Sequence, residues 1–442
     1  MGDWQRFGSH AFVPAVVGAI AAAMAALGVV GADFQWLVPL GARVAAGHVP
    51  SSIPSAVAPT TGWHDVIAGG QLVVWAAYRI LGGDRGLMAL QVLGAAAGFG
   101  LLALGLRRQS TAGATLAVSE LVLLGGATSI LVARVSVFSL ALFPLLLLLV
   151  HEDERNPGRQ IWLAVPLLAI WSNLHGAVLV GLGVLAVYLV LGRARRSPGT
   201  AAAVLCASAL AVCATPQLEW TPLYYRGVFE NEAAARGAGL WAPLGLGPFD
   251  LAYIAVAVVL LVAAARGRMR AWELVVFAVL AAESVHTARI GLFALMVAAY
   301  PAARGLRVRA PRSPVVALAA AGCVAVAVAG VVLTKDGAAA GLAHRAAALG
   351  GVVLAEPLQA ERVEVDGGRV FVANPIDAFR HSDQRLYLDW VAGRPAGRKA
   401  VERAQLVLVT ATSPAGRAAA GDDRLRLLAA AGGDVLYRVH RP

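Results

Sequence analysis

The chain has 442 residues, of which 59% are apolar and only 14% charged, and its mean hydropathy is +0.70. Soluble proteins carry about 25% charged residues, so this composition excludes a soluble globular protein and predicts an integral membrane protein. A formal net charge of +11 would suit nucleic-acid binding in a soluble domain. In a membrane protein, basic loops on one side of the bilayer explain it, and we expect no nucleic-acid partner. The three cysteines lie in apolar runs without metal-ligand spacing.

Eleven apolar runs approach the roughly 20 residues that a membrane-spanning helix needs. They begin near Ala11, Gly86, Ala114, Val135, Ile161, Ala177, Thr200, Phe249, Ala271, Ile290 and Pro314. Arg6 precedes the first run, as in a signal peptide, but residues 31–33 form a weak cleavage site. We therefore interpret the first run as a retained anchor helix.

The distribution of arginine predicts the orientation. If the N-terminus is cytoplasmic and residues 64–81 lie in the interface, the inner loops collect most of the basic residues, as the positive-inside rule requires. The inner-loop arginines are Arg107, Arg108, Arg155, Arg159, Arg193, Arg195, Arg196, Arg266, Arg268, Arg270, Arg304, Arg307, Arg309 and Arg312. The C-terminal tail then lies outside. If residues 64–81 crossed instead, the chain would have twelve spans and every later loop would change side.

The predicted fold class is an all-α polytopic membrane protein with about eleven transmembrane helices and a small C-terminal soluble α/β domain. The predicted regions are an N-terminal anchor helix at 1–32, a first outer loop with interfacial helices at 33–85, a polytopic membrane core at 86–334 and an extracytoplasmic α/β domain at 335–442. Periodicity within the last region predicts strands at 369–373, 404–410 and 434–439 and helices at 383–391 and 415–431.

The first outer loop carries the candidate catalytic residues. Asp33 directly follows the anchor, where a carboxylate can act as a general base or coordinate a divalent cation on a phosphate leaving group. Trp63, His64 and Asp65 are consecutive. His64 or Asp65 could carry a proton while Trp63 stacks on a sugar. The alternatives are an acid solvated at a helix end and a tryptophan that anchors the loop in the interface.

Two polar segments of the core are candidate binding sites. Residues 171–176 read Trp-Ser-Asn-Leu-His-Gly and interrupt an apolar stretch, so Asn173 and His175 could face a cavity. Alternatively, Asn173 caps the helix that follows. Glu219 opens an outer loop in which aromatic and charged residues alternate. Such a loop suits a carbohydrate surface or an amphipathic helix lying on the membrane.

Two arginines at the outer side could hold a phosphate. Arg289 lies near Glu283 and His286 between two spans, and Arg134 lies at the outer end of another span. A guanidinium group matches phosphate oxygens with paired donors, although such side chains also snorkel to the interface. No Walker loop, GxSxG elbow, HExxH or paired CxxC motif is present, so nucleotide hydrolysis and soluble-hydrolase chemistry have no support.

These segments resemble the C-fold glycosyltransferase (GT-C) superfamily, and within it an uncharacterised bacterial group of polytopic membrane proteins. The resemblance lies in residues 134–138, 171–176, 215–216 and 283–293 and in the order of anchor, outer loop, spans and outer tail. It implies transfer of a sugar from a polyprenyl-phosphate or polyprenyl-diphosphate donor, with Asp33 as base or metal ligand and Arg134 and Arg289 on the lipid phosphate. No second acid adjoins Asp33, so a divalent cation, Mg²⁺ or Mn²⁺, is an open alternative, and no other cofactor is expected.

The sequence therefore predicts a glycosyltransferase of the bacterial cell envelope that acts at the outer face of the plasma membrane. Its partners would be a polyprenyl-linked sugar donor and membrane lipids. The alternatives are a non-catalytic lipid or glycan carrier, and an envelope scaffold whose C-terminal domain binds other proteins. A carrier would need polar groups continuing across the membrane midplane, and the sequence shows few.

Overall fold

The computed structural model describes residues 2–60, 62–309, 313–334 and 338–440, and the protein is mainly α-helical. The predicted inner-loop residue Arg312 and the predicted first residue of the C-terminal domain, Lys335, lie outside the described residues. The α-helices are α1 (Gly2–Ala26), α2 (Leu37–Ala45), α3 (Ala68–Leu81), α4 (Asp84–Arg107), α5 (Ala112–Gly125), α6 (Ala127–Leu131), α7 (Val137–Arg155), α8 (Ala164–Leu174), α9 (Val178–Leu191), α10 (Pro198–Val212), α11 (Thr221–Glu230), α12 (Glu232–Arg236), α13 (Pro248–Arg266), α14 (Ala271–His286), α15 (Gly291–Gly305), α16 (Ser313–Leu333), α17 (Ala338–Leu349), α18 (Pro357–Val365), α19 (His381–Val391) and α20 (Pro414–Ala420).

Short 3₁₀ helices and seven strands complete the described secondary structure. The 3₁₀ helices are Arg159–Leu163, Arg193–Arg195, Leu218–Trp220, Gly239–Trp241, Ala288–Ile290, Ile376–Ala378 and Pro395–Arg403. The strands are β1 (Val29–Val30), β2 (Val132–Ala133), β3 (Val352–Ala355), β4 (Arg369–Val370), β5 (Leu406–Thr410), β6 (Leu425–Ala431) and β7 (Asp434–Val439).

The chain divides into two compact units. The helical unit comprises Met1–Val29, Met88–Thr215 and Gly239–Leu333, and the mixed unit comprises Val30–Leu87, Pro216–Ala238 and Thr334–Pro442. The mixed unit thus contains most of the predicted first outer loop, most of the predicted C-terminal domain, and a segment from the middle of the chain.

By length and composition, four described helical segments can cross a bilayer. They are Asp84–Arg107, Val178–Arg195, Pro248–Arg266 and Pro314–Leu333. The segments Ala11–Ala26, Ala112–Gly125 and Pro198–Val212 are also apolar but shorter. The chain is therefore a membrane protein, and the number of eleven spans stays a prediction.

Helix α15 forms the centre of the helical unit. Every residue from 291 to 303 is buried, and α15 packs against α5, α13 and α14. Glycine allows the close approach of α13, since a Cβ atom on Gly267 would lie 1.8 Å from the carbonyl oxygen of Pro301. Lipid tails provide no hydrophobic force between helices, so membrane helices associate through this kind of tight packing.

The mixed unit is built on a five-stranded sheet of order β4-β3-β5-β7-β6. The first three of these strands are parallel, with Val353 opposite both Val370 and Leu406, and β7 pairs antiparallel with β5 and β6. Helices α17 and α18 contribute Leu342, Ala346 and Val363 to a core with the sheet. Strands buried on both faces read as continuous apolar runs, as the fully buried β3 does.

The presence of a C-terminal sheet with helices is confirmed, but one predicted element is wrong, and β3 and α18 were not predicted. The strands β5 and β7 and helix α19 match their predicted ranges closely, and the strand predicted at 369–373 is reduced to β4. The predicted helix at 415–431 is wrong, because the helix ends with α20 at Ala420 and residues 425–431 form β6. Gly432 and Gly433 have φ angles of +61° and +87°, which allow the tight hairpin turn into β7 that glycine pairs favour.

Part of the first outer loop continues this sheet beyond β4. The N–H of Val57 donates to the carbonyl of Val370 at 2.9 Å, the N–H of Ala58 to that of Phe371 at 3.0 Å, and the N–H of Val370 to the carbonyl of Ser55 at 2.9 Å. These backbone bonds attach the loop that carries Trp63, His64 and Asp65 to a rigid sheet edge.

Candidate functional site

Asp33 begins a turn whose backbone N–H groups all point to one carboxylate. Its φ angle is +78°, in the left-handed region that few residues other than glycine adopt. The N–H groups of residues 33–36 donate to Glu361 at 2.6, 3.2, 2.9 and 3.4 Å in chain order. Successive N–H groups arranged in this way form a concave anion-binding nest. We call residues 33–36 the amide turn.

Glu361 lies on α18 and is fully buried, which is rare for glutamate unless it is paired. The side-chain amide of Asn374 also donates to it, at 2.5 Å. Burial raises the pKa of Glu361 to about 7, while the N–H donors of Asp33 and Asn374 limit the rise and the charge of Asp33 adds to it. All these contacts are donors to the carboxylate oxygens, so they fix the backbone of Asp33 and limit the rise in pKa without cancelling the effect of burial.

The side chain of Asp33 lies against an aromatic wall. The indole N–H of Trp36 donates to Asp33 Oδ1 at 3.1 Å. Trp36 in turn makes an edge-on contact with Trp63, with ring centroids 6.5 Å apart and planes at 67°. Both tryptophans are buried, whereas Asp33 is half-buried. The carboxylate therefore has a fixed orientation and a solvent-accessible side.

The charges of three carboxyl groups act on the phenol of Tyr224. Burial raises the pKa of Tyr224 well above its usual value, and the charges of Asp377, Asp65 and Asp33 raise it further. Burial also raises the pKa of Asp377 to about 6, and the charge of Asp33 adds to this effect. Like charges held close together shift pKa values upward in this way. We call Asp33, Asp65 and Asp377 the acidic cluster.

Asp65 is the most deeply buried member of the acidic cluster. Its side chain is fully buried, Gln71 donates to its Oδ1 at 2.9 Å, and its Oδ2 accepts no hydrogen bond from the described residues. Burial raises the pKa of Asp65 to about 7, against the opposing effect of the bond from Gln71. The indole nitrogen of Trp63 is likewise buried without a described partner. Both groups retain capacity to bind a polar ligand.

His64 is held by the segment at 216–238. Its ring stacks on that of Trp220, with centroids 5.4 Å apart and planes at 1°, and its Nδ1 lies 3.3 Å from Gln217 Oε1. Glu219 is exposed in the 3₁₀ helix that ends at Trp220. The mixed unit therefore contains five predicted site residues. Four belong to the first outer loop, namely Asp33, Trp63, His64 and Asp65, and the fifth is Glu219.

In the helical unit, Ser139 connects His175 to Trp171. The indole N–H of Trp171 donates to Ser139 Oγ at 2.8 Å, and Ser139 Oγ lies 2.7 Å from His175 Nδ1. The backbone N–H of Ala177 points to the same ring nitrogen at 3.4 Å. With Nδ1 accepting from both groups, the proton of the neutral imidazole is assigned to Nε2.

Asn173 has a structural role in the last turn of α8. Its side-chain amide donates to the carbonyl of Ala169 at 2.8 Å and to that of Ala214 at 2.7 Å. The cap of the following helix is Ala177, so the alternative in which Asn173 caps that helix is wrong. These two bonds hold the end of α8 to the segment after α10.

Arg134 and Arg289 differ in how they are held. Arg134 is half-buried, and its Nε finds no hydrogen-bond partner among the described residues. Arg289 is exposed, and its guanidinium carbon lies 4.4 Å from the ring centroid of Trp241, a cation–π contact. Glu283 and His286 are exposed at the end of α14.

The described residues contain no group of three or more His, Cys, Asp or Glu side chains placed to hold a metal ion. The acidic cluster is thus not a metal site made of protein ligands alone. Binding of Mg²⁺ or Mn²⁺ stays a prediction, and no reaction step is derived through a metal.

Sequence reasoning missed Glu361, Asn374 and Asp377, and it placed Tyr224 only in the aromatic and charged outer loop that Glu219 opens. They come from two segments far along the chain from Asp33, and no local motif marks them. The one available signal was the repeat of glutamate three residues apart, at 361 and 364, on a helix with an otherwise apolar face. Both glutamates are buried, although glutamate usually faces solvent.

No protein-family model and no curated protein matches the chain. Among solved structures, it is similar to ArnT from Cupriavidus metallidurans bound to undecaprenyl phosphate, with a TM-score of 0.54, 12% identity, and coverage of 96% of this chain and 97% of that one. The apo state of that ArnT gives a TM-score of 0.52, 13% identity and 96% coverage of both chains. The arabinofuranosyltransferase AftD from Mycobacteria gives a TM-score of 0.51 and 16% identity, over 98% of this chain and 42% of AftD.

These similarities define the class of fold. ArnT and AftD are GT-C proteins, and the match to ArnT runs over nearly the whole of both chains. The resemblance predicted from the sequence is therefore confirmed at the level of the fold, which this chain shares with ArnT.

Proposed function

We propose that the chain is a membrane glycosyltransferase that transfers a sugar from a polyprenyl-phosphate donor to an acceptor at the outer face of the bacterial plasma membrane. Its fold, shared with an ArnT bound to undecaprenyl phosphate, supports this class of donor. The single observation that carries the catalytic assignment is the amide turn. A buried glutamate from a remote helix holds Asp33 in an unfavourable backbone conformation, and such strain is typical of functional sites.

In the proposed reaction, Asp33 acts as the general base. The acceptor hydroxyl oxygen forms a bond to the anomeric carbon of the sugar while the bond from that carbon to the phosphate oxygen breaks. The electron pair leaves with the polyprenyl phosphate, and the hydroxyl proton goes to Asp33. Glycosyl transfer develops positive charge on the sugar ring, which the negative acidic cluster would stabilise.

The proposed sugar contacts in the mixed unit are Trp63, His64 and Glu219. Trp63 packs against Trp36, which donates to Asp33, and its indole N–H has no hydrogen-bond partner among the described residues. His64 is oriented by its stack on Trp220. Aromatic faces and a few polar groups are the usual composition of a sugar-binding surface.

For the helical unit we propose two contributions to donor binding. Arg134 and Arg289 would contact the lipid phosphate, with Asn173, His175, Glu283 and His286 as neighbouring polar groups. An apolar groove of about 780 Å³ between α1, α4 and α16 would take the prenyl chain. Its walls include the small residues Gly18, Ala22, Ala96 and Gly100, which leave room for a branched hydrocarbon.

The test is transfer of radiolabelled sugar by the purified full-length protein from a panel of polyprenyl-phosphate sugars. We expect transfer with at least one donor and its loss, by about 100-fold or more, in Asp33→Asn, because removing a general base costs roughly 10²–10⁴-fold. The matched control is Glu230→Gln, which removes the same charge from an exposed ion pair with Arg226 in the same unit.

Equal transfer by Asp33→Asn and wild type would remove Asp33 from the mechanism. Donor binding without transfer by the wild type would favour the carrier alternative. No binding of any polyprenyl phosphate would favour the scaffold.

A further inference from the structure

A basic cavity lies where three helices of the helical unit end or begin. It has a volume of about 670 Å³ and is lined by the end of α4, the start of α5 and the end of α15. Its guanidinium groups belong to Arg107, Arg108, Arg304 and Arg307. None of these arginines belongs to the sugar-transfer site proposed above.

Two of the four arginines already have carboxylate partners. Arg304 pairs with the buried Glu273 at 2.7 Å, and Arg108 pairs with Glu152 at 3.0 Å. These two positive charges are therefore neutralised within the protein.

The other two positive charges are not neutralised by the described residues. Arg107 donates through NH1 to the carbonyl of Ser110 at 2.9 Å, but its Nε is buried without a partner. Arg307 is exposed and makes no hydrogen bond or ion pair with any residue that the structure describes. The cavity thus has two uncompensated charges, and a buried donor without an acceptor is costly. An anion bound in the cavity would neutralise these two charges.

The backbone makes the cavity more favourable for an anion. The N-cap Thr111 and the first residue, Ala112, of the 14-residue helix α5 line it, and a helix N-terminus carries partial positive charge and free N–H groups. Gly113 allows the chain after α15 to close against this helix start, since a Cβ atom there would lie 2.2 Å from the carbonyl oxygen of Val308.

The positive-inside rule explains why arginines collect at this end of the helices. It explains neither the open cavity that these arginines line nor the lack of described partners at Arg107 Nε and at Arg307. Helix α4 is one of the segments that can cross a bilayer and Arg107 is its last residue, which places the cavity at headgroup depth. Basic pockets between transmembrane helices on the cytoplasmic side bind anionic headgroups. We propose that this cavity binds the phosphate group of an anionic phospholipid.

The test is native mass spectrometry of the full-length protein in detergent, titrated with phosphatidylglycerol, phosphatidylcholine or inorganic phosphate. We expect one phosphatidylglycerol to bind at concentrations at which phosphatidylcholine does not. Each arginine near a headgroup contributes about 1 kcal/mol, so the double variant Arg107→Gln/Arg307→Gln should bind roughly tenfold or more weakly. If millimolar inorganic phosphate binds and no phosphatidylglycerol stays bound, the site binds a soluble phosphate ion and the phospholipid proposal is wrong.

The matched control is Arg159→Gln/Arg195→Gln, which removes two exposed arginines of the predicted inner side outside the cavity. Its affinity should stay within twofold of the wild type. If the double variant at the cavity does not fold, the exposed Arg307→Gln alone should still weaken binding several-fold. Equal binding of the two lipids, or equal losses in the cavity and control variants, would overturn the proposal.

Discussion

Glu361→Gln separates the role of Glu361 in positioning Asp33 from its effect on overall stability. The carboxyl pKa rises from 4.5 to about 7 in the folded protein, so the folded state favours the protonated form. The stabilising contribution of Glu361 is therefore fully present below pH 4.5 and is lost as the pH rises through 7. A difference of about 2.5 pKa units corresponds to about 3 kcal/mol of unfolding free energy above pH 7.

Glutamine carries no charge, so the stability of the variant relative to the wild type should rise by up to about 3 kcal/mol between pH 4.5 and pH 8. The amide turn should respond in the opposite direction. In the variant, an NH₂ group replaces one of the two carboxylate oxygens of Glu361. Whichever oxygen is replaced, at least two of the N–H groups that donate to Glu361 lose their acceptor. Each loss costs about 1–3 kcal/mol, which corresponds to about 5- to 150-fold faster amide exchange.

The assay combines thermal unfolding at pH 4.5 and pH 8 with hydrogen–deuterium exchange of the peptide covering residues 33–41. The matched control is Glu364→Gln, on the same helix. Glu364 is also buried, its pKa is raised to about 8 by burial, and it accepts a bond of 2.5 Å from Ser55, so its loss should stabilise the fold without changing exchange in the amide turn. Wild-type exchange of residues 33–41 in Glu361→Gln, or the same difference in stability between that variant and the wild type at pH 4.5 and at pH 8, would refute the reasoning.

Three further predictions concern single side chains. Asp65→Asn should unfold at a higher temperature than the wild type at pH 8 and at the same temperature at pH 4, because the raised pKa of about 7 makes the ionised form destabilising; a lower melting temperature at pH 8 would contradict this. Gly433→Ala should lose about 1 kcal/mol in chemical denaturation, since the φ angle is +87° and no atom lies near an added Cβ, whereas Gly421→Ala, with a φ of −102°, should not be destabilised. Asn173→Ala should lose about 1–3 kcal/mol through its two hydrogen bonds to carbonyl groups, and an unchanged melting temperature would show that these bonds contribute nothing.

The C-terminal α/β domain shows which elements local sequence patterns can predict. The apolar run that forms β5 and the alternation in β7 identified both strands, because strand formation there follows from burial of nearby side chains. The alanine-rich segment at 425–431 has helical propensity, but pairing with β7 through the Gly432–Gly433 turn outweighs it. Propensity is a weak preference that tertiary context overrides.

The sequence alone determined that this is a membrane protein and predicted its resemblance in fold, and it singled out Asp33 by its place after the first apolar run. Hydropathy is a local property, so a window of about 20 residues is sufficient to detect it. Only the tertiary structure decided what holds Asp33, because Glu361 is 328 residues away along the chain. A hydrogen bond between such distant groups depends on how helix α18 packs within the mixed unit, and no local pattern encodes that distance.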